Sequence, residues 1–78
     1  MPYIDAASKI ECEKNGPATA GQLNYKITML LIEYFNTWGS YQSINDVLGA
    51  LEGAKMEFYR RIAVPYEDKK IKQNGDVY

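Results

Sequence analysis

The sequence predicts an all-α protein, because its apolar residues recur at helical spacing and turn-forming residues separate the apolar stretches. In residues 20–38 and 44–62, apolar side chains return every three or four positions, which is the period of one helix face. Residue pairs with the spacing of helix caps precede both stretches. The predicted architecture is two main antiparallel helices with a short helix at each end, forming a single small domain over residues 1–78.

The first predicted element is a short helix over residues 6–14. Asp5 is placed to cap it, and Ile10 is its main apolar residue. Asn15, Gly16 and Pro17 then form a helix-breaking sequence, so the chain turns there.

The second predicted helix covers residues 20–38. Thr19 and Gln22 have capping-box spacing at its start, and Gly39 stands where a helix C-terminal glycine belongs. Its apolar stripe consists of Leu23, Ile27, Leu30, Leu31, Tyr34, Phe35 and Trp38.

The third predicted helix begins near the capping pair Ser43 and Asp46 and ends near Ala63, because a residue that precedes a proline such as Pro65 avoids the α region. Its stripe consists of Ile44, Val47, Leu48, Leu51, Ala54, Phe58 and Ile62. After Pro65, acids precede bases in the order that a helix dipole favours, which predicts a short helix ending at Asn74 and Gly75.

Gly49 and Gly53 stand four residues apart inside the third helix. Each glycine costs about 1 kcal/mol of helix stability relative to alanine. Two interpretations stay open: they are tolerated surface glycines, or they permit a close approach of a second helix or of a ligand.

Composition limits how this chain can be stabilised. A core built from 78 residues, of which 46% are apolar, supplies roughly 3–5 kcal/mol. The chain has one cysteine, Cys12, and no histidine, so an intrachain disulfide and a zinc site are excluded. We therefore expect a homo-oligomer. The single cysteine, the absence of a long apolar run and an N-terminus unlike a signal peptide predict a soluble cytoplasmic protein.

The charge of the chain is unevenly distributed, although its net value is −1. Residues 55–72 contain six bases and three acids, whereas residues 1–54 contain three bases and six acids. The C-terminal third is therefore a positive region on a mildly acidic body. Bulk nucleic-acid binding, which would depend steeply on salt, is the weakest of the binding hypotheses.

The residues favour binding over catalysis. With no histidine and no recognisable nucleophile, base and orienting group, we expect no enzymatic activity, no catalytic residues and no cofactor. Arginine and lysine suit phosphates, tyrosine rings suit bases, and amides or hydroxyls suit base and ribose edges. The predicted ligand-binding residues are Arg60, Arg61, Lys69 and Lys70 for phosphates, Tyr59, Tyr66 and Tyr3 for stacking, and Asn24, Thr28 and Asn74 for polar edges.

A structural alternative exists for these residues. Arg60 and Arg61 could pair with Glu57 or Glu67 on a solvated face, while the tyrosines wedge into the core. The arginines could also pair with the acidic groups of the C-terminal tail, which are Glu67, Asp68, Asp76 and the Tyr78 carboxylate. In that case the tail would be a structural latch. If the arginines instead bind a ligand, the tail would be a lid over that ligand.

Several short sequence motifs resemble those of a family of very small phage and prophage proteins, and together the motifs span nearly the whole chain. They are Pro2-Tyr3-Ile4, Gly21-Gln22-Leu23-Asn24-Tyr25, Glu57-Phe58-Tyr59-Arg60-Arg61, Pro65-Tyr66-Glu67-Asp68 and Asn74-Gly75-Asp76-Val77-Tyr78. Phages encode small oligomeric sponge proteins that sequester the cyclic nucleotide signals of bacterial defence, and this chain is similar to them in size and helical character. The resemblance implies sequestration of a cyclic dinucleotide without catalysis. The alternative is a protein-interaction module that inhibits a host enzyme or serves as a virion-assembly adaptor.

Overall fold

The computed structural model describes residues 4–78, and every regular element within that range is helical. The elements are α1 (Ala6–Asn15), α2 (Ala20–Trp38), α3 (Tyr41–Phe58), a π-helical segment (Tyr59–Ala63) and α4 (Val64–Asn74). The last three follow one another without interruption, so the described chain contains three helical runs. The all-α prediction is confirmed.

The contacts of the chain divide it into two units, residues 1–44 and residues 45–78, which are described in turn. The antiparallel arrangement of the main helices and the single domain stay predictions. None of the helices over residues 4–78 combines the length and the apolar character that a bilayer crossing requires.

Helix α1 of the first unit starts and ends as the sequence predicts, to within one residue. The Asp5 carboxylate accepts a 2.8 Å hydrogen bond from the Ser8 backbone N–H, and this bond lowers the pKa of Asp5 below its ordinary value. At the other end Gly16 has a φ of 81°, and its N–H donates to the carbonyl of Cys12. A positive φ favours glycine, which explains why the chain turns at this position.

The contact of α1 with α2 depends on Cys12 and not on Ile10, so the predicted apolar contact is wrong. Ile10 is 66% exposed, whereas the thiol of Cys12 is fully buried and donates to the carbonyl of Gln22 at 3.5 Å. One helical turn further along, the Tyr25 hydroxyl donates to Glu13 at 2.8 Å, which raises the pKa of Tyr25. A small thiol fits where the two backbones approach closely, and an isoleucine would not.

The predicted caps of α2 are confirmed. Thr19 Oγ1 accepts from the N–H of Gln22 at 3.1 Å, and Gln22 Oε1 accepts from the N–H of Ala18 at 2.7 Å. Thr19 therefore satisfies a backbone donor that the helix start leaves unpaired, whereas Gln22 bonds the N–H one residue ahead of the one that a capping box uses. Gly39 adopts the left-handed conformation at the C-terminus, with a φ of 62°.

Helix α3 begins at Tyr41, ahead of the capping pair that the sequence suggested. Ser40 and Ser43 exchange bonds: each hydroxyl oxygen accepts from the backbone N–H of the other, at 3.1 and 3.0 Å. The Ser43 hydroxyl also donates to the Ser40 carbonyl, and Ser43 is buried. The cap is therefore Ser40 with Ser43, and the prediction that Ser43 caps the start of this helix is wrong.

The predicted end of this helix before Pro65 is also wrong, because the helical run continues to Asn74. A proline inside a helix has no N–H to donate, and its ring collides with the carbonyl four residues earlier, here that of Arg61. The π-helical segment lies just before Pro65, and the N–H of Val64 bonds the carbonyl of Tyr59, five residues back. The wider turn accommodates the proline, so the helix passes through it. Its end at Asn74 and Gly75 is as predicted.

The second unit has no interior. None of residues 45–78 is buried, and only Val47, Ala63 and Val64 are half-buried. In the whole described range, Cys12 is the one apolar side chain that is buried. A Cβ added to Gly49 or Gly53 would meet no atom within 4 Å, so no close approach within residues 4–78 requires glycine there.

Replacement of Pro65 tests whether the proline causes the π-helical segment. Pro65→Ala restores the missing N–H and removes the ring, so we expect a more stable helix, by about 1–3 kcal/mol. The measurement is urea unfolding followed by circular dichroism. Pro17→Ala is the matched control: Pro17 lies in the connection between α1 and α2, where alanine loosens the unfolded chain and lowers stability by about 0.4–1 kcal/mol. A loss of stability in Pro65→Ala would contradict the explanation.

Candidate functional site

The π-helical segment is the most unusual local structure in the second unit, and it contains both arginines of the chain. Its position is set by Pro65, as described above. π turns inside α-helices frequently occur at functional sites, because they displace side chains from the regular helical arrangement. Residues near Arg60 and Arg61 are therefore the first candidates for a binding site.

Arg60 and Arg61 converge on one carboxylate. Nη2 of Arg60 lies 2.9 Å from Oε1 and 3.1 Å from Oε2 of Glu57, and Nε of Arg61 lies 2.8 Å from Oε2. The spacing explains this arrangement, because residues three and four positions after Glu57 both return to its side of the helix. All ion pairs of the two arginines within residues 4–78 go to Glu57, so the tail acids do not hold them.

This cluster contributes little to stability. The side chains of Arg60, Arg61 and Glu57 are 68%, 72% and 53% exposed, so water screens their attraction. Exposed ion pairs are typically worth about 0–1 kcal/mol. Each arginine also engages only one of its three nitrogens, and the cluster carries a net positive charge. An anion could replace the Glu57 carboxylate at small cost.

An apolar groove lies beside the cluster. This arginine groove has a volume of about 740 Å³, is open to solvent and is lined by residues 55–60, 63 and 64. Met56, Phe58 and Tyr59 provide apolar and aromatic surface, and Arg60 provides charge at its edge. The combination of flat apolar surface with a guanidinium suits a ligand that has an aromatic part and an anionic part.

A second groove lies at the C-terminal end of α4. This tail groove of about 600 Å³ is lined by residues 66, 67, 70, 71 and 74–78. The Lys70 ammonium lies 5.6 Å from the centre of the Tyr66 ring, and the Tyr78 N–H donates to the Asp76 carboxylate at 3.0 Å. Glu67 and Asp76 outnumber Lys70, so the charge here disfavours an anion. The arginine groove is therefore the better anion site.

The structure divides the ten predicted ligand-binding residues among several places. Tyr59 and Arg60 line the arginine groove, Arg61 adjoins it through its bond to Glu57, and Tyr66, Lys70 and Asn74 line the tail groove. Lys69 is exposed on α4 and lines neither groove. Tyr3 lies outside the described residues.

Asn24 and Thr28 belong to the first unit, on α2. The Thr28 hydroxyl donates to the Asn24 carbonyl at 2.8 Å and lies 3.3 Å from its side-chain oxygen. Both residues are thus engaged locally on their own helix.

Sequence reasoning missed the groove itself. Lys55, Met56 and Phe58 line it, yet the helical pattern assigned Phe58 to the apolar stripe and left the other two without a role. The signal that could have revealed it is Pro65, which follows Arg61 by four residues. No capping residue stands before this proline, so the sequence does not mark a new helix start there, and a helix that continues through a π turn is the remaining arrangement. Among residues 4–78, no group of three acids or cysteines is placed to hold a metal ion.

Comparison with known proteins identifies a family without a described activity. The family described as "Domain of unknown function (DUF6899)" matches residues 1–77, so the chain belongs to that family. No curated protein and no solved structure matches the chain.

Glu57→Gln tests whether this carboxylate occupies an anion site. Removal of its charge leaves two guanidiniums without a counterion, so we expect pyrophosphate to bind about three- to tenfold more tightly than to the wild type. Isothermal titration calorimetry at low salt measures this. Asp68→Asn is the matched control, because it removes one negative charge from the same helical run at an exposed residue that lines neither groove. Equal pyrophosphate affinity in all three proteins would contradict the expectation.

Proposed function

We propose that this chain is a non-enzymatic, homo-oligomeric binder that sequesters a small anionic nucleotide, most specifically a cyclic dinucleotide. The observation that carries the proposal is the convergence of Arg60 and Arg61 on a single exposed carboxylate beside an apolar groove. Phosphates would replace Glu57 between the guanidiniums, and a base would stack on Tyr59.

Sequestration requires no chemistry from the protein. A ligand is withdrawn from its receptor when it is bound tightly and buried, and it is later released unchanged. The arginine groove is open to solvent, so a second copy that covers it would supply the burial that one copy lacks. Homo-oligomerisation is thus part of the proposed mechanism.

The exposed apolar surface supports self-association. Phe58, Tyr59 and Ile62 are all exposed, in a unit where no residue is buried. Helices in water take most of their stability from packing of an apolar face, so a helical run with both faces in solvent requires a partner surface. The resemblance to phage proteins sets the proposed context: the cytoplasm of an infected bacterium, where the bound signal would otherwise activate antiviral defence.

The direct test is calorimetric titration with cyclic di-AMP, cyclic di-GMP and cyclic GMP–AMP. We expect at least one to bind with about micromolar affinity or better, and Arg60→Ala and Arg61→Ala each to weaken it about tenfold, because each removes a charge-assisted hydrogen bond. Lys72→Ala is the control for loss of one positive charge, since Lys72 lines neither groove. Mass spectrometry of the released ligand should show it unchanged. Absence of binding by every nucleotide would refute the proposal.

A protein-interaction module is the second candidate, and the exposed apolar residues of α2 favour it. Leu30 and Trp38 present large side chains to solvent, a pattern typical of surfaces that bind proteins. Affinity capture from a bacterial lysate, after nucleotides are removed by dialysis, separates the candidates. A stoichiometric protein partner whose binding survives Arg60→Ala with Arg61→Ala favours the second candidate over the first.

A further inference from the structure

Helix α2 carries a seam of apolar residues with coiled-coil spacing. Leu23, Ile27, Leu30 and Tyr34 follow one another in steps of four, three and four residues, and they are 51%, 38%, 65% and 41% exposed. This alternation keeps the side chains on one face of a helix and is the pattern by which two helices pack along their length. Helix α1 contacts α2 through Gln22 and Tyr25, which are not members of the seam.

The charges of α2 lie along one edge of this seam. Lys26 and Glu33 are the charged residues of the helix, seven positions apart, and each immediately precedes a seam residue. Within residues 4–78 neither forms an ion pair. The opposite edge, one position after Leu23 and Leu30, carries the uncharged Asn24 and Leu31. The two edges of the seam are therefore chemically different.

We propose that the α2 seam is the contact between two copies of this chain, packed antiparallel about a two-fold axis. In an antiparallel pair, like edges meet, so the charged edge of one copy faces the charged edge of the other. With Ile27 opposite the partner's Leu30, Leu23 lies opposite the partner's Tyr34. Lys26 is then level with the partner's Glu33, and Glu33 with the partner's Lys26.

The charge pattern selects this orientation. In a parallel pair, unlike edges meet, so Lys26 and Glu33 would face the uncharged edge and gain no partner. In the antiparallel pair the two-fold axis repeats the contact of Lys26 with the partner's Glu33, so the dimer contains two such ion pairs. No two like charges then face each other. An intrahelical attraction does not explain the pattern, because only side chains three or four residues apart are neighbours on a helix.

The inference deepens the self-association in the proposed function and can be tested separately from nucleotide binding. Lys26→Glu and Glu33→Lys each turn both intermolecular pairs into repulsive ones. We expect each variant to raise the dimer dissociation constant about tenfold in sedimentation equilibrium, and the double variant to return it to the wild-type value. Glu11→Lys, on α1, is the control for the change in net charge of Glu33→Lys, and Lys69→Glu, on α4, is the control for that of Lys26→Glu.

Mixing the two single variants is the decisive measurement. A heterodimer of Lys26→Glu with Glu33→Lys has both pairs attractive, so the mixture should associate about as tightly as the wild type, and native mass spectrometry should show the mixed species. Circular dichroism of each variant separately checks that it folds.

Three results would overturn the inference: a monomeric wild type, single variants that associate like the wild type, or a mixture that does not recover. A monomeric wild type would indicate that another part of the chain, or a different protein, covers the seam. If the seam variants associate like the wild type while cyclic dinucleotides still bind, the ligand proposal is supported and this dimer is not. If the variants behave as expected and no nucleotide binds, only the ligand proposal is refuted.

Discussion

The scarcity of buried apolar side chains is the constraint on which the rest of this structure depends. Folding must offset a conformational entropy cost of about 1–2 kcal/mol per residue, chiefly by removing apolar surface from water. Within residues 4–78 the chain buries one apolar side chain, Cys12, and leaves its longest aliphatic and aromatic stripes exposed. The helices are specified locally by caps and spacing, and the self-association proposed above would add the apolar burial that one chain lacks. Both the proposed nucleotide site and the proposed α2 seam follow from this condition.

Local signals in the sequence predicted the first unit well. Caps at Asp5 and Thr19 and the glycine at position 39 act through bonds within a few residues, so they can be recognised without knowledge of tertiary contacts. The prediction failed where two local rules competed. Pro65 is usually a helix terminator, yet a π turn ahead of it relieves the clash and lets the helix continue, and nothing in the residue pattern states that the chain adopts this solution.

The candidate site was predictable in its chemistry and not in its arrangement. The residue types indicated an anion site at Arg60 and Arg61, and the same reasoning included Glu57 as an alternative partner. Which carboxylate pairs with them depends on helical geometry, because an unbroken helix from Glu57 into the π turn brings all three together, whereas a helix end would have freed the tail acids to compete. The division of Tyr66, Lys70 and Asn74 into a separate groove also follows from that continuous helix.

The burial of Cys12 gives the protein an internal reporter. Its thiol is the only one in the chain, it is shielded completely, and its position depends on α1 lying against the first turn of α2. A thiol reagent can reach it only when α1 lifts away, so the rate of alkylation measures how often this helical hairpin opens. Because no other sulfhydryl contributes to the signal, the opening of the hairpin can be followed without an introduced cysteine, in the free protein and in any complex.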